Sequence, residues 1–149
     1  KTVAAAKSLF FVGRVRGYPV AREGAQKFKE ISYRHAEAYQ TSELKHGPLA
    51  LIDESLPTVA VVPSDELTER NLAAVQQIKA RGGAVLAVTH ESVDFGELDV
   101  PRIVVPKTEP ELDPILLTIP LQLLAYHAAL TLGYDIDKPR NLAKSVTVE

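Results

Sequence analysis

The chain has 149 residues, 46% of them hydrophobic, with 17 Lys+Arg against 19 Asp+Glu and a formal net charge of −2. A single domain of that size buries roughly 70% of its unfolded surface without metal or disulfide staples, and a charge so near zero sets up no long-range field toward nucleic acid or anionic lipid. The absence of cysteine excludes disulfides, thiolate metal sites, iron–sulfur clusters and cysteine nucleophiles together.

No apolar run approaches the roughly 20 residues of a membrane span, and the pattern of a signal peptide is absent. A cytoplasmic setting is therefore expected, with no nucleic-acid or membrane partner. Methionine is also absent and the chain opens on Lys1-Thr2-Val3, so a piece of a longer protein is expected.

In chain order, Ser8-Leu9-Phe10-Phe11-Val12 ending at Gly13 is the first short apolar run rich in large and β-branched residues, as expected for a strand covered on both faces. From Pro19, well placed at a first helical position, apolar residues fall at Val20, Gly24/Ala25, Phe28, Ile31, His35/Ala36 and Tyr39. That spacing predicts one long helix with a buried stripe. Glu43 to Ile52 reads as a loop or short helix around His46-Gly47-Pro48. Strands follow at Thr58–Val62, Ala84–Val88 and Arg102–Val105. A second helix runs from about Leu67 to Arg81, closed by Gly82-Gly83, and a third from about Pro114 to Leu132. The third is apolar nearly all round and is expected to be deeply buried, with Pro120 kinking or restarting it. Four parallel strands alternating with helices predict an α/β, three-layer fold with a parallel sheet flanked by helices. The tail after Asp137 shows no helical stripe.

Ligands of open parallel sheets bind at the carboxyl ends of the strands, an edge that includes Gly13-Arg14-Val15-Arg16-Gly17, Pro63-Ser64, Thr89-His90 and Pro106-Lys107. The first segment reads as a tight turn or an anion cradle; it is neither G-x-G-x-x-G nor a P-loop. Glu23, Lys27, Glu30, Arg34 and Glu37 recur at steps of four and three, which places them on one helix face. They form either a solvated ladder of ion pairs or a pocket wall in which a carboxylate beside a lysine serves as general base. His35 and His127 fall among apolar residues and read as packing groups, whereas His90 at a strand end is ambiguous. His46 sits in a loop and is the best acid/base candidate. No His-x-x-x-His or Gly-x-Ser-x-Gly pattern occurs. Lys144, in a largely apolar tail, is either solvated or an amine nucleophile of depressed pKa.

Several longer words of sequence stand out: Tyr18-Pro19, Glu23-Gly24-Ala25, Lys29 through Tyr33, His35 through Tyr39, Glu43-Leu44-Lys45-His46-Gly47-Pro48-Leu49-Ala50-Leu51-Ile52, Arg81-Gly82-Gly83, Pro120 through His127, and the closing Pro139-Arg140-Asn141-Leu142-Ala143-Lys144-Ser145-Val146-Thr147-Val148-Glu149. Together they make the chain similar to the C-terminal end of the glutamine:fructose-6-phosphate aminotransferase family. The resemblance implies a second sugar isomerase (SIS) lobe, of flavodoxin-like architecture. Residues 1–7 would be the end of a preceding linker or helix, 8–137 the lobe, and 138–149 a catalytic tail. It implies an enzyme that passes glutamine-derived ammonia to fructose 6-phosphate and isomerises the product to glucosamine 6-phosphate. Glu30 would be the carboxylate shuttling a proton between C1 and C2, Lys144 the Schiff-base lysine and Lys27 a substrate-binding lysine. His46 would be the ring-opening histidine, supplied from a neighbouring subunit. No cofactor or metal is implied. The implied partners are a sugar phosphate held with the first lobe and further copies in a homo-oligomer. The family's phosphate loops and glutaminase cysteine have no counterpart here, so the chain alone is expected to be inactive. A non-catalytic, sugar-phosphate-sensing lobe of the same fold is the alternative.

Overall fold

The computed structural model describes residues 2–142. A short helix α1 (Thr2–Ala5) precedes β1 (Ser8–Gly13) and α2 (Gly17–Ser32). After β2 (His35–Gln40) come two 3-10 turns, Leu44–His46 and Pro48–Leu51, and then β3 (Thr58–Val62), α3 (Thr68–Lys79), β4 (Val85–His90), β5 (Arg102–Val105) and α4 (Asp113–Thr131). The strands form one parallel sheet in the order β2-β1-β3-β4-β5. Two apolar cores line its faces. One joins Leu9, Phe11 and Val59 to α1, α2 and α4; the other joins Phe10, Val12 and Ala60 to α3, the 3-10 turns and the loop after β4. Alternation of successive strand residues between these cores is what a sheet covered on both faces requires.

Five strands are present where four are predicted. The long first helix is in fact α2 followed by β2, whose register runs from Ser8 opposite His35 to Gly13 opposite Gln40. Helix α2 stops where Tyr33 turns left-handed at φ 56° with its N–H on Lys29 O, and in its last turn Ser32 Oγ donates to Phe28 O at 2.6 Å. His35, Ala36 and Tyr39 fit a helical stripe by number alone. The alternating His-Ala-Glu-Ala-Tyr pattern fits an edge strand equally well, and the edge of the sheet takes it.

The packing of α4 also departs from expectation. It runs unbroken through Pro120 and buries Leu117, Leu121, Ala125 and Ala128 against α2 and the sheet. Its opposite side stays open, with Ile115 61%, Ile119 45%, Leu123 51% and Leu130 47% exposed. Against the expectation that no apolar run approaches a membrane span, α4 is by length and composition the one helix among the described residues apolar enough to cross a membrane, and about a third of it is buried inside this fold. Close approach of α2 to α4 depends on Gly24, where an added Cβ would lie 2.6 Å from the Leu121 side chain and 3.1 Å from the Phe11 ring.

Candidate functional site

The inner side of α2 is made of Val20, Ala21, Ala25 and Phe28, so Glu23, Lys27 and Glu30 are carried on its flank. Lys27 Nζ lies 2.9 Å from Glu30 Oε2 and 3.6 Å from Glu23 Oε1, and Gln26 Nε2 donates to Glu30 Oε1 at 3.0 Å. Burial by itself would raise the Glu30 pKa; the hydrogen bonds from Lys27 and Gln26 outweigh it and hold the carboxyl below its ordinary value. The Glu30 hydrogen bond correspondingly raises the Lys27 ammonium, against its own partial burial. Both shifts describe the same stabilised ion pair. The predicted five-residue ladder is shorter than expected, since Arg34 sits in the turn and Glu37 in β2, where Glu37 accepts from Tyr39 Oη at 2.7 Å.

Two grooves flank the pair. One, of about 470 Å³, is lined by Gln26, Glu30, Tyr33, Arg140 and Leu142 among others. The other, of about 420 Å³, has Lys27 facing Gln122, Tyr126 and Ile136. The first is built by the returning chain: the Arg140 N–H donates to Tyr33 Oη at 3.0 Å, and the Arg140 guanidinium stacks 4.1 Å above the Tyr33 ring. Tyr33 also packs on Tyr134, with ring centroids 4.7 Å apart. The sequence reading missed both Tyr33 and Arg140, because a helix run on to Tyr39 hides the left-handed turn that aims the Tyr33 ring at the tail. Gln26 was detectable from its four-residue spacing to Glu30.

Lys144 lies outside the described residues. His46 is exposed in the turn after β2, where Gly47 takes φ 146°, a conformation open to glycine. Helix α2 runs back across the sheet, so Glu30 is at the amino edge and His46 at the carboxyl edge, with a six-residue strand between them. Such a strand spans on the order of 20 Å. Within one copy the structure therefore brings Lys27 to Glu30 and keeps His46 apart. The Lys27–Glu30 ion pair also sits at the edge opposite the one where ligands of parallel sheets ordinarily bind.

At that carboxyl edge, the Gly17 and Tyr18 N–H groups are bonded to Arg14 and Val15 carbonyls, which makes the Gly13–Gly17 segment a tight turn. His90 is fully buried: its Nδ1 accepts the Ser64 N–H at 2.9 Å, so the imidazole proton sits on Nε2, facing Asp113 Oδ1 at 3.3 Å. That approach is too misaligned to count as a hydrogen bond. His90 is thus a packing group. The two histidines expected to pack are exposed, His35 bonding Ser8 Oγ at 2.7 Å and His127 lying against the Tyr126 ring. Among the described residues no cluster of three or more His, Asp or Glu is placed to hold a metal.

The profile of the SIS domain family matches residues 2–132. The chain is 51% identical, over 99% of its length, to glutamine–fructose-6-phosphate aminotransferase (isomerizing) of Buchnera aphidicola, of which it covers 24%. It spans about a quarter of the length of that relative. Among solved structures it is similar to the C-terminal domain of glucosamine-fructose-6-phosphate aminotransferase from Francisella tularensis. The TM-score is 0.85 at 43% identity, covering 92% of this chain and 39% of that one. It is also similar to glucosamine-6-phosphate deaminase from Thermotoga maritima, with TM-score 0.76 and 27% identity over 98% of this chain and 42% of that one.

Proposed function

Because the chain belongs to the SIS domain family, we propose that it is the second sugar isomerase lobe of a glutamine:fructose-6-phosphate aminotransferase. In this reading Glu30, Lys27 and Lys144 act on the open-chain sugar phosphate. Residues 8–137 are the lobe, 1–7 lead into it and 138–149 are its catalytic tail. The site is completed by a first lobe that grips the phosphate and by His46 of a neighbouring copy, in a cytoplasmic homo-oligomer.

The observation that carries the proposal is the tethering of the tail root. Arg140 is pinned on Tyr33, one turn beyond Glu30, and Leu142 lines the same groove as Glu30. Lys144 is two residues further on, and two residues span at most about 7 Å. The amine of Lys144 condenses with the sugar carbonyl, releasing water and leaving an iminium that acidifies the neighbouring C–H. The Glu30 carboxylate, kept ionised by Lys27, takes that proton and returns it to the adjoining carbon. Separation of His46 from Glu30 within one copy supports its supply from another.

Borohydride trapping in the presence of fructose 6-phosphate, with the first lobe supplied, tests the assignment. The label is expected on Lys144 and is lost in Lys144→Arg, because a guanidinium has no free amine pair at neutral pH. Glu30→Gln should retain the label and slow isomerisation by about 10²- to 10⁴-fold. Trapping on Lys27, or an unslowed Glu30→Gln enzyme, overturns the roles. Sugar-phosphate binding without any trapped adduct favours the sensing alternative.

A further inference from the structure

Strand β2 ends the sheet, and its outer edge has no neighbouring strand among the described residues. Its six residues stay in unbroken parallel register with β1. In a parallel ladder the bonds to one neighbour use alternate residues, so about half of the β2 backbone groups turn away from β1. Between His35 and Tyr39 no turn or loop backbone bond takes them up. Such an edge is a template for a further strand, and β2 has no bulge, proline or lysine to guard it.

A groove of about 520 Å³ runs along this edge. Its strand side is Ala36, Glu37, Ala38 and Tyr39, consecutive residues that point alternately to the two faces of the sheet. The groove therefore opens on the edge of β2 and not on one face alone. Its helix side includes Arg22, Gln26 and Lys29 of α2. The charges beside it are uneven. Glu23 is paired with Lys27 at 3.6 Å and Glu37 accepts from Tyr39 Oη at 2.7 Å, so both acids of the groove are engaged within the chain. Arg22 and Lys29 are exposed and in no ion pair among the described residues, and Arg34, just before β2, has its Nε buried without a partner. Seven helical positions place Arg22 and Lys29 about 10 Å apart along α2. Side chains on one face of an extended strand recur every ~7 Å, so carboxylates on alternate residues come within reach of both cations.

We propose that the edge of β2 and the flank of α2 form a docking groove for an extended acidic segment of a partner polypeptide, which joins the five-stranded sheet as a sixth strand beside β2. Main-chain bonds to β2 supply the affinity, and carboxylates facing Arg22 and Lys29 supply the selectivity. The proposal does not depend on the catalytic roles given to Glu30, Lys27, His46 and Lys144.

Fluorescence anisotropy with the 149-residue chain and a labelled acetyl-Val-Glu-Val-Glu-Val-Glu-amide probe tests it. The probe is expected to bind saturably, and the same peptide with lysine in place of glutamate is not. Methylating every backbone nitrogen of the probe should abolish binding, because it can then donate nothing to β2. Arg22→Glu with Lys29→Glu should weaken the probe by about tenfold or more, two attractive pairs becoming repulsive. Arg70→Glu with Lys79→Glu, on α3 across the sheet, should leave it unchanged. All four side chains are exposed, so unaltered circular dichroism shows that the variants fold. Amide hydrogen exchange locates the site: the probe should slow exchange in His35–Gln40 and not in Arg102–Val105, the opposite edge. No saturable binding at about 1 mM probe, equal binding of the lysine or N-methylated peptide, indifference to the α2 substitutions, or protection at β5 instead of β2 overturns the proposal. Displacement of the probe by inorganic phosphate at constant ionic strength assigns the cations to a small anion and overturns it as well.

Discussion

Lys27 Nζ sits 2.9 Å from Glu30 Oε2, one turn earlier on the same helix, and the two ionised groups stabilise one another. A general base works best with a pKa near the operating pH, yet the bond from Lys27 holds Glu30 below the ordinary carboxylate range. In the proposed role as general base, Glu30 would be kept ionised by the lysine, which would have to loosen its hold for the proton to stay.

Replacing Lys27 with Met should raise the Glu30 pKa, because burial then acts against only the Gln26 hydrogen bond and the Lys29 charge. A carboxylate carbon NMR titration reads this directly, and an unmoved Glu30 curve would show that the pair is not coupled. The effect on stability is small, on the order of a few tenths of a kcal/mol, since Lys27 is 37% exposed and solvent screens the pair. Its sign is determined by the shifts. The lowered Glu30 contributes above its unfolded pKa and loses its contribution as pH falls through the folded value. The raised Lys27 contributes below its unfolded pKa and loses its contribution as pH rises through the folded value.

Tyr33→Ala removes the hydrogen bond to the Arg140 N–H and the ring beneath its guanidinium. The segment from Lys138 onward should become cleavable under limited proteolysis, while the rest of the chain resists. Tyr33→Phe keeps the stacking and should fall between the two. Equal resistance in all three proteins would mean that something else holds the tail root.

Buried His90 and Asp113 should respond asymmetrically. His90→Ala takes the acceptor away from the Ser64 N–H and leaves a void beside the buried Asp113, and is expected to cost about 1–3 kcal/mol in urea denaturation. Asp113→Ala leaves the imidazole still bonded to the Ser64 N–H, so its cost should be lower. The reverse order would locate the strain at the histidine.

Gly24→Ala puts a methyl where α2, α4 and β1 converge, 2.6 Å from Leu121 and 3.1 Å from Phe11. Overpacking of this kind costs about 1–3 kcal/mol. Gly96→Ala, with open space around its Cβ but φ at 53°, makes a control in which strain comes from the backbone alone. Thermal melts separate the two, and a Gly24→Ala protein as stable as the parent would show that α4 can move away.

The boundary at Tyr33 shows what sequence can and cannot carry. Apolar residues at Val20, Gly24, Ala25, Phe28 and Ile31 report a helix correctly because they all face one core. His35, Ala36 and Tyr39 continue the same count by coincidence, and the chain leaves the helix through a single left-handed residue that no periodicity reveals. The helices at Thr68–Lys79 and Asp113–Thr131, bounded by glycine or proline, were legible to within a residue or two, as were the four interior or β-branched strands. Of the site, the Lys27–Glu30 spacing was readable, since a helix makes three-residue neighbours touch whatever surrounds it.

By itself the sequence determined the elements other than β2, the parallel sheet and the family, because these follow from local spacing and from long shared words. Tertiary structure alone decided where the groups stand. His46 and Glu30 are sixteen positions apart, yet they lie at opposite edges of the sheet because α2 and β2 each cross it once. Tyr33 and Arg140 are far apart in the chain, yet they touch because the chain returns after α4 to the end of α2. The sequence of α4 likewise says only that both its faces are apolar. Which face meets α2 is set by where Gly24 allows close approach, and that selection leaves the other stripe uncovered.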